Sequence, residues 1–342
     1  MRDLRPKVRR GYCLQRANKM VGSEIKALDG SMHYTKFSMS AGGVARNICE
    51  ALGKLGAQPH LLSAVGNDSH GRYLRANLPA ASTRALVMVD SCPSAQCTVV
   101  LDSNGECKLL LGEMDIHKHI TPAIIMSQAE QLKRCPLIVI DGNLGNEALA
   151  CVLEIADKYG RPVFYEPTDI PVSAAPFSCP NYRAVKYISP NLNELRIIAQ
   201  SLGVSVPPAS SDTLAEAAHL GRLVAEYIDT VFVTLGARGL LVVRKGTAKD
   251  PLHGTTSITP GDVRVRHYNA AEITQIVNVS GAGDCLASGI IVAMLAGLPE
   301  SVCVSVGFAA AQMALQSRSA VPSVLFDKNH VSWTQTAAYT EL

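Results

Sequence analysis

The chain has 342 residues, of which 47% are hydrophobic and 18% are charged, and its formal net charge is +3 at pH 7. This apolar content offsets the entropy cost of ordering the chain and excludes disorder as the default. So small a charge does not indicate nucleic-acid binding. The length predicts one main α/β core with a small appendage rather than two equal domains.

Segment 1–20 is basic, and we predict that it is irregular. The stretch from Met1 to Lys26 is rich in Arg and Lys, which leaves two alternatives open: a solvated basic tail or a mitochondrial transit peptide. We find no signal-peptide core, no long uncharged apolar span and no CxxC pair among the ten cysteines. We therefore expect a cytoplasmic protein with reduced thiols and no structural zinc, with a mitochondrial location as the alternative.

Two antiparallel hairpins are predicted in the first third of the chain. Gln96–Leu101 and Cys107–Leu111 flank Asn104-Gly105, which is a strong hairpin turn signal. The loosely alternating segment Glu24–Met39 predicts a partner hairpin. Together they indicate a small β lid, with hairpins near 24–39 and 96–111, on a domain that spans 21–330.

Short apolar runs rich in β-branched residues alternate with helix-length segments. The predicted strands are Leu61–Val65, Leu137–Asp141, Val163–Tyr165 and Val231–Leu235. Such alternation is typical of a mainly parallel sheet covered by helices on both faces. Asp284–Ala296 and Pro299–Gln316 predict two helices, and 331–342 is predicted to be a C-terminal tail.

The segment Val277–Asp284, directly before a long apolar helix, has the composition of an anion site. Its glycines let the backbone approach a ligand, and the free N–H groups of a helix N-terminus favour a phosphoryl group. The carboxylate of Asp284 could accept the proton of an attacking hydroxyl. The alternative is that Gly281 and Gly283 form a tight turn and Asp284 caps the helix. The chain has no Walker A lysine motif and no dinucleotide-binding glycine motif.

Three further segments occur in a fixed order with this one. Ala41–Asn47 opens a helix with two glycines and an amide, where a sugar hydroxyl could approach. Ser189–Leu195 starts a helix, with Asn191 and Glu194 on one face, where they could orient phosphate and Mg²⁺-bound water. Val233–Gly239 follows a strand and could border a nucleotide. Each segment alone is equally explained by local structure: the start of a helix, an N-cap and a strand turn.

The ordered set resembles the ribokinase-like (PfkB) kinases over about residues 20–325, in motifs that begin at Gly42, Asn191, Thr234 and Gly281. These are a GGxxxN, an NxxE, a TxGxxG and a GAGD motif. The resemblance implies a ribokinase-like three-layer α/β sandwich with a mainly parallel sheet and a small β lid. It also implies phosphoryl transfer from ATP, with Mg²⁺, to a sugar or nucleoside hydroxyl.

The resemblance further implies a role for each matching residue. Asp284 would be the general base, and Gly281, Ala282 and Gly283 would form the anion hole. The ATP-side residues would be Asn191, Glu194, Thr234, Gly236 and Gly239, with Glu194 also reaching Mg²⁺ through water. The residues that hold the ribose would be Gly42, Gly43 and Asn47.

Three segments within the family pattern are similar to pseudouridine kinases: Gly112–His117, Asp141-Gly142-Asn143 and Tyr165–Asp169. This similarity implies transfer to the ribosyl 5′-hydroxyl of pseudouridine, and we assign Asn143 a substrate contact. Asp141 and Asp169 are equally well explained as cap residues. The expected partner is a small nucleoside, with no nucleic acid and no membrane, and a homodimer through the lid is an open alternative.

Two features depart from the family pattern. Members normally begin with a strand whose aspartate binds two ribose hydroxyls, but the corresponding Val8–Lys19 is Arg-rich and has no acid. In place of the usual DTx before GAGD, the chain reads Asn278-Val279-Ser280, so one carboxylate near the family's monovalent-cation site is absent and potassium activation is not implied. The alternative function is therefore a truncated or impaired kinase-like protein that binds ATP but turns over nucleoside poorly, or a kinase for another nucleoside or sugar.

The missing aspartate gives a first prediction, which is an elevated KM for the nucleoside with an ordinary KM for ATP. Loss of a charge-assisted bidentate hydrogen bond costs on the order of 1.5–3 kcal/mol and weakens only the sugar side. Steady-state kinetics measures both constants. Grafting a β-strand that ends in Asp ahead of Glu24 should lower the nucleoside KM and raise the thermal midpoint. If neither changes, the anchor lies elsewhere in the chain.

Overall fold

The computed structural model describes residues 16–22, 35–101, 107–254 and 262–342. The chain divides into two compact units, each assembled from three segments. Unit 1 comprises Met1–His119, Ile273–Gly289 and Val306–His330, and unit 2 comprises Ile120–Glu272, Ile290–Ser305 and Val331–Leu342. The single main core with a small appendage stays a prediction from the length. The units are not consecutive in sequence, because the chain passes between them several times.

Unit 1 contains six strands among the described residues. They are β1 (Arg16–Gly22), β2 (Thr35–Ala41), β3 (Ser63–Gly66), β4 (Leu86–Val89), β5 (Gln96–Leu101) and β6 (Cys107–Glu113). A four-stranded sheet has the order β2-β1-β5-β6, and β3 pairs with β4 in parallel. β1–β2 and β5–β6 are antiparallel pairs, and β1 joins them by pairing with β5 in parallel. The two antiparallel pairs thus form one small sheet.

The first antiparallel pair begins before the hairpin that we predict at 24–39, and most of that predicted hairpin lies outside the described residues. The ladder of the pair runs from Arg16 opposite Ala41 to Gly22 opposite Thr35, so residues 16–20 form a strand rather than an irregular segment. Pairing on both edges of β1 satisfies its backbone groups, and this outweighs a basic composition that favours no ordered structure by itself. The turn predicted at Asn104-Gly105 lies outside the described residues, as does most of Val8–Lys19.

Unit 2 contains seven strands in its described part, which form one sheet of order β13-β12-β11-β10-β9-β8-β7. They are β7 (Ile138–Asp141), β8 (Val163–Glu166), β9 (Val185–Ile188), β10 (Thr230–Thr234), β11 (Leu240–Arg244), β12 (Arg264–Tyr268) and β13 (Thr340–Glu341). Neighbours from β7 to β10 are parallel, whereas β11, β12 and β13 add antiparallel pairs. The predicted parallel sheet is confirmed. Part of the predicted tail, however, pairs as β13.

The parallel strands of unit 2 are buried because their residues are β-branched, aliphatic and aromatic. In the middle of the sheet, Phe164 on β8 stacks on Tyr187 of β9 and Phe232 of β10, with ring centroids 6.2 and 5.9 Å apart. Strands buried on both faces need such continuous apolar sequence. This is why the sequence pattern locates β7, β8 and β10 to within a residue or two.

Nine α-helices lie in the described ranges. They are α1 (Val44–Lys54), α2 (Ser69–Ala76), α3 (Pro122–Ser127), α4 (Ala129–Arg134), α5 (Asn146–Lys158), α6 (Leu192–Ser201), α7 (Thr213–Val224), α8 (Ala282–Leu295) and α9 (Glu300–Leu315). α8 and α9 confirm the two helices predicted near the C-terminus. A Cβ built on Gly289 would lie 2.7 Å from the Cα of Gly307, so only glycine allows this close approach of α8 to α9. No described helix has the length and hydropathy needed to cross a membrane.

A buried cluster of charged side chains connects the start of α9 to β11 and β12. Glu300, which is fully buried, accepts hydrogen bonds from Nε and Nη2 of Arg266, both at 2.6 Å. Its carboxylate also accepts from Nη1 of Arg244 at 3.3 Å and from the Tyr268 hydroxyl at 2.7 Å. Burial, and then the negative charge of Glu300, raise the pKa of Tyr268. The carboxylate therefore compensates two buried guanidinium groups at once.

We predict that Glu300→Gln lowers the free energy of unfolding by about 3–5 kcal/mol, because it leaves two buried cations without their counter-charge. Chemical denaturation measures the loss. The matched control is Glu341→Gln, which breaks the exposed pair with Arg264 (2.8 Å) and should cause no measurable change. Equal effects of the two substitutions would show that the buried cluster does not hold α9 on the sheet.

Candidate active site

The start of α1 in unit 1 presents three of the residues predicted to hold a sugar. Gly42 and Gly43 are buried, and Gly43 has a φ of 103°, a conformation that favours glycine. The Asn47 backbone N–H donates to the Gly43 carbonyl at 2.7 Å and closes the first turn. The Asn47 side chain, which is 2% exposed, is therefore fixed one turn into the helix.

Asp284 lies in the first turn of α8 and is also buried, with 8% of its surface exposed. The Asn47 Nδ2 donates a hydrogen bond of 2.6 Å to its Oδ2, across a sequence separation of 237 residues. The structure thus brings together two predicted site residues, one assigned to substrate binding and the other to catalysis. The family resemblance implies that Asn47 holds the ribose, and the structure shows that its amide is also a direct partner of the Asp284 carboxylate.

Gly281, directly before α8, and Gly283, in its first turn, have different surroundings. Gly281 has a φ of 79°, and a Cβ there would lie 2.1 Å from the Ala320 carbonyl oxygen, so the fold itself requires this glycine. Gly283 is exposed, and a Cβ there would meet no described heavy atom within 4 Å. Ala282 begins the helix between them. The open space beside Gly283 is where a ligand could approach the helix N-terminus.

Cys285 follows Asp284 and is fully buried. Burial raises the pKa of its thiol, and the negative charges of Asp284 and Glu50 raise it further. The thiol is therefore protonated and neutral beside the carboxylate.

In unit 2, Asn191 and Glu194 form a capping box at the start of α6. The Asn191 Oδ1 accepts the Glu194 backbone N–H at 3.0 Å, and the Glu194 Oε2 accepts the Asn191 backbone N–H at 2.9 Å. Asn191 is therefore the N-cap of α6, which is the structural alternative for this segment. Burial, followed by the nearby charge of Asp169, raises the pKa of Glu194. A bound cation would offset both the desolvation of the Glu194 carboxylate and its repulsion by Asp169. The oxygen donors suit Mg²⁺ held through water.

The strand turn after β10 lies next to this capping box. Thr234 pairs with Asn191 as an isolated bridge, and its N–H donates to the Pro190 carbonyl at 2.9 Å. Gly236 has a φ of 61°, and within the described chain a Cβ there would meet nothing within 4 Å. Gly239 has a φ of 89°, and its Cβ would lie 2.0 Å from the Tyr268 carbonyl oxygen. Gly239 is therefore required for packing, whereas Gly236 borders open space.

Asn143 lies in the turn that follows β7. Its backbone N–H donates to the Asp141 carboxylate at 3.0 Å, but its side-chain Nδ2 is buried with no hydrogen-bond partner among the described residues. Leaving a buried donor unpaired costs about 1–3 kcal/mol. Such an atom is expected where a ligand supplies the acceptor.

Sequence reasoning assigned no role to Thr168, which connects the turns after β7 and β8. Its Oγ1 accepts the Gly142 N–H at 3.0 Å, and its own N–H donates to the Glu166 Oε2 at 2.7 Å. Of the described non-glycine residues, only Thr168 has a positive φ, at 69°. A β-branched residue in this conformation is strained, and such strain concentrates at functional sites. Asp169 caps the following turn, accepting the Ile170 N–H at 2.8 Å.

A buried carboxylate at a glycine-bordered helix N-terminus suits a phosphotransferase, because the helix N-terminus favours an anionic phosphoryl group and the carboxylate can accept a proton. The model of the pfkB family carbohydrate kinases matches residues 12–325. The chain belongs to the PfkB family and is an ATP-dependent sugar or nucleoside kinase.

Three relatives illustrate the similarity. A pseudouridine kinase of Arabidopsis thaliana is 25% identical over 317 residues, which cover 82% of this chain and 83% of the relative. A pseudouridine kinase of Escherichia coli is 28% identical over 287 residues, covering 82% and 81%. The structure of Arabidopsis thaliana ribokinase complexed with ribose and ATP has a TM-score of 0.69 at 17% identity, covering 90% of this chain and 94% of that one. The ribokinase-like fold is thereby confirmed.

The contrast between the two glycines gives a prediction for stability. Gly281→Ala should lower the free energy of unfolding by more than about 1 kcal/mol, because the new Cβ would collide with Ala320 in a backbone conformation that alanine rarely adopts. Gly283→Ala is the matched control and should leave stability unchanged or slightly raised, since its Cβ has room in an α-helix. Chemical denaturation compares them. Equal losses would mean that Gly283 is also structural.

Proposed function

We propose that the chain transfers the γ-phosphoryl group of ATP to the ribosyl 5′-hydroxyl of pseudouridine, giving pseudouridine 5′-phosphate and ADP. The observation that carries this proposal is the buried Asp284 carboxylate, bonded to Asn47 and placed beside the open space at Gly283. The choice of pseudouridine is supported by two relatives of that name, each aligned over 82% of this chain.

Asp284 is the general base in this mechanism. It takes the proton of the 5′-hydroxyl as that oxygen bonds to the γ-phosphorus, while the bond to the bridging oxygen breaks and its electrons leave with ADP. The N-terminal turn of α8, with Gly281, Ala282 and Gly283, stabilises the negative charge on the transferring group. Catalysis consists mainly of positioning and electrostatic stabilisation.

In this proposal, residues of unit 2 bind ATP. Asn191 and Glu194 arrange the phosphates, and Thr234, Gly236 and Gly239 border the nucleotide. The raised pKa of Glu194 supports a nearby cation, because a positive charge would compensate the buried carboxylate. Mg²⁺, when bound through water to Glu194, would screen the charge of the phosphates.

The nucleoside contacts Gly42, Gly43, Asn47 and Asn143 in this proposal. The Nδ2 of Asn143, which has no hydrogen-bond partner in the described structure, supports a contact with an acceptor oxygen of the substrate. Such a contact would remove the free-energy cost of leaving this buried donor unsatisfied. The absence of an acid from Val8–Lys19 favours the second candidate, an impaired kinase-like protein that binds ATP but turns over nucleoside poorly.

The test is a coupled assay of ATP consumption with pseudouridine, uridine, adenosine and ribose. We predict that pseudouridine has the highest kcat/KM and that Asp284→Asn lowers kcat about 10²- to 10⁴-fold. The amide keeps the size of the side chain and can still accept from Asn47, so the KM for ATP should hardly change.

Turnover of Asp284→Asn within tenfold of the parent would remove Asp284 as the base. Preference for another of the four substrates would replace pseudouridine in the proposal and leave the kinase mechanism intact. Binding of ATP without turnover of any substrate would support the impaired protein.

A further inference from the structure

Arg46 is a buried cation, 4% exposed, that sequence analysis left without a role. It lies on α1 directly before Asn47. Its guanidinium makes three contacts: Nε donates to the Gly42 carbonyl at 2.8 Å, Nη1 donates to the Glu50 carboxylate, and Nη2 donates to Oδ1 of Asn47. One side chain therefore connects the glycine turn, the ion pair along α1 and the amide that contacts Asp284.

The contact with Asn47 determines which end of the amide faces Asp284. A guanidinium has only donors, so it requires the acceptor Oδ1 on its own side. The donor Nδ2 is then directed to the Asp284 carboxylate, where it makes the 2.6 Å hydrogen bond. In the reversed amide, Nδ2 would face the guanidinium and Oδ1 would face the carboxylate, and both contacts would be repulsive.

We propose that Arg46 is a positioning residue for Asp284. It holds the Asn47 amide in the orientation whose N–H stabilises the ionised carboxylate, the form that accepts a proton. The functional part of this inference rests on the proposed function, in which Asp284 is the base. The orientation of the amide is independent of it.

Other charged groups lie near Asp284, and their effects on its carboxylate have to be distinguished from the effect of Arg46. The charged groups that influence the pKa of the Cys285 thiol, next to Asp284, are Arg46, Glu50 and Lys54 on α1 and Asp284 itself. Glu50 pairs with both Arg46 and Lys54, the latter at 2.5 Å, so its charge is compensated from two sides. The segment packed against Gly281 carries Arg318, which is exposed and therefore screened by water. The Cys285 thiol is neutral.

Arg46 differs from Lys54 in one respect that a substitution can isolate. Both are cations bound to Glu50 on the same helix, but in the described structure only Arg46 contacts Asn47. Lys54 donates instead to the Pro322 carbonyl at 2.6 Å. Lys54→Met is thus a matched control for Arg46→Met, because each removes one cation next to Glu50.

The experiment follows the carboxyl carbons of ¹³C-labelled aspartate by NMR during a pH titration of the whole chain. The Asp284 signal is assigned as the one missing in Asp284→Asn. We expect Arg46→Met to raise the titration midpoint of Asp284 by about one pH unit, because the amide is free to rotate and the carboxylate loses its fixed donor. Lys54→Met should leave the midpoint in place.

Arg46→Lys keeps the charge, and its single ammonium cannot occupy all three positions of the guanidinium. It should shift the midpoint in the same direction, and it replaces Arg46→Met if that variant does not fold. A folded Arg46 variant with an unchanged midpoint, or an equal shift in Lys54→Met, overturns the proposal.

Kinetics provides the second measurement. In both Arg46 variants the acidic limb of the kcat profile should move to higher pH by the same amount, with the KM for ATP unchanged. If the chain turns over no substrate, the proposed function fails while the NMR result still decides the role of Arg46. If turnover is normal and the midpoint does not move, only the positioning role fails.

Discussion

The hydrogen bond between Asn47 and Asp284 is the constraint on which the site in unit 1 depends. A buried carboxylate is costly unless donors compensate it, and here the donor comes from a helix 237 residues away in sequence. The two glycine motifs become parts of one site only because α1 and α8 bring these side chains within 2.6 Å. The close contact of Gly289 with Gly307 packs α8 against α9.

The glycines of the matching motifs fall into two groups, which differ in what occupies the space beside the backbone. At Gly281 and Gly239 the chain itself fills the space that a side chain would need. At Gly283 and Gly236 the space is open to a ligand. A motif written only as a run of glycines does not separate these cases, although they concern different properties: the stability of the fold and access to the backbone.

The elements that could be predicted from the sequence are those whose signals are local. The apolar runs of β7, β8 and β10 specify buried strands, and the spacing of Asn191 and Glu194 specifies a helix start. β1 and β13 lie in segments that the sequence predicts to be irregular and a tail, because a short strand without an apolar run depends on the neighbours with which it pairs. The contact between Asn47 and Asp284, the strained φ of Thr168 and the direction of the Arg46 side chain depend on tertiary packing and leave no periodic pattern.

The neutral thiol of Cys285 limits how this site can be targeted chemically. Electrophilic reagents react with the thiolate form of cysteine. At Cys285, burial and the neighbouring negative charges raise the pKa, so the thiolate is scarce. Alkylating probes applied to the folded chain should therefore modify less buried cysteines, such as Cys92 and Cys179, before they reach the helix that carries Asp284. Covalent inhibitors of the site would need a residue other than the cysteine next to the carboxylate, whereas reversible compounds that compete for the open space at Gly283 would not.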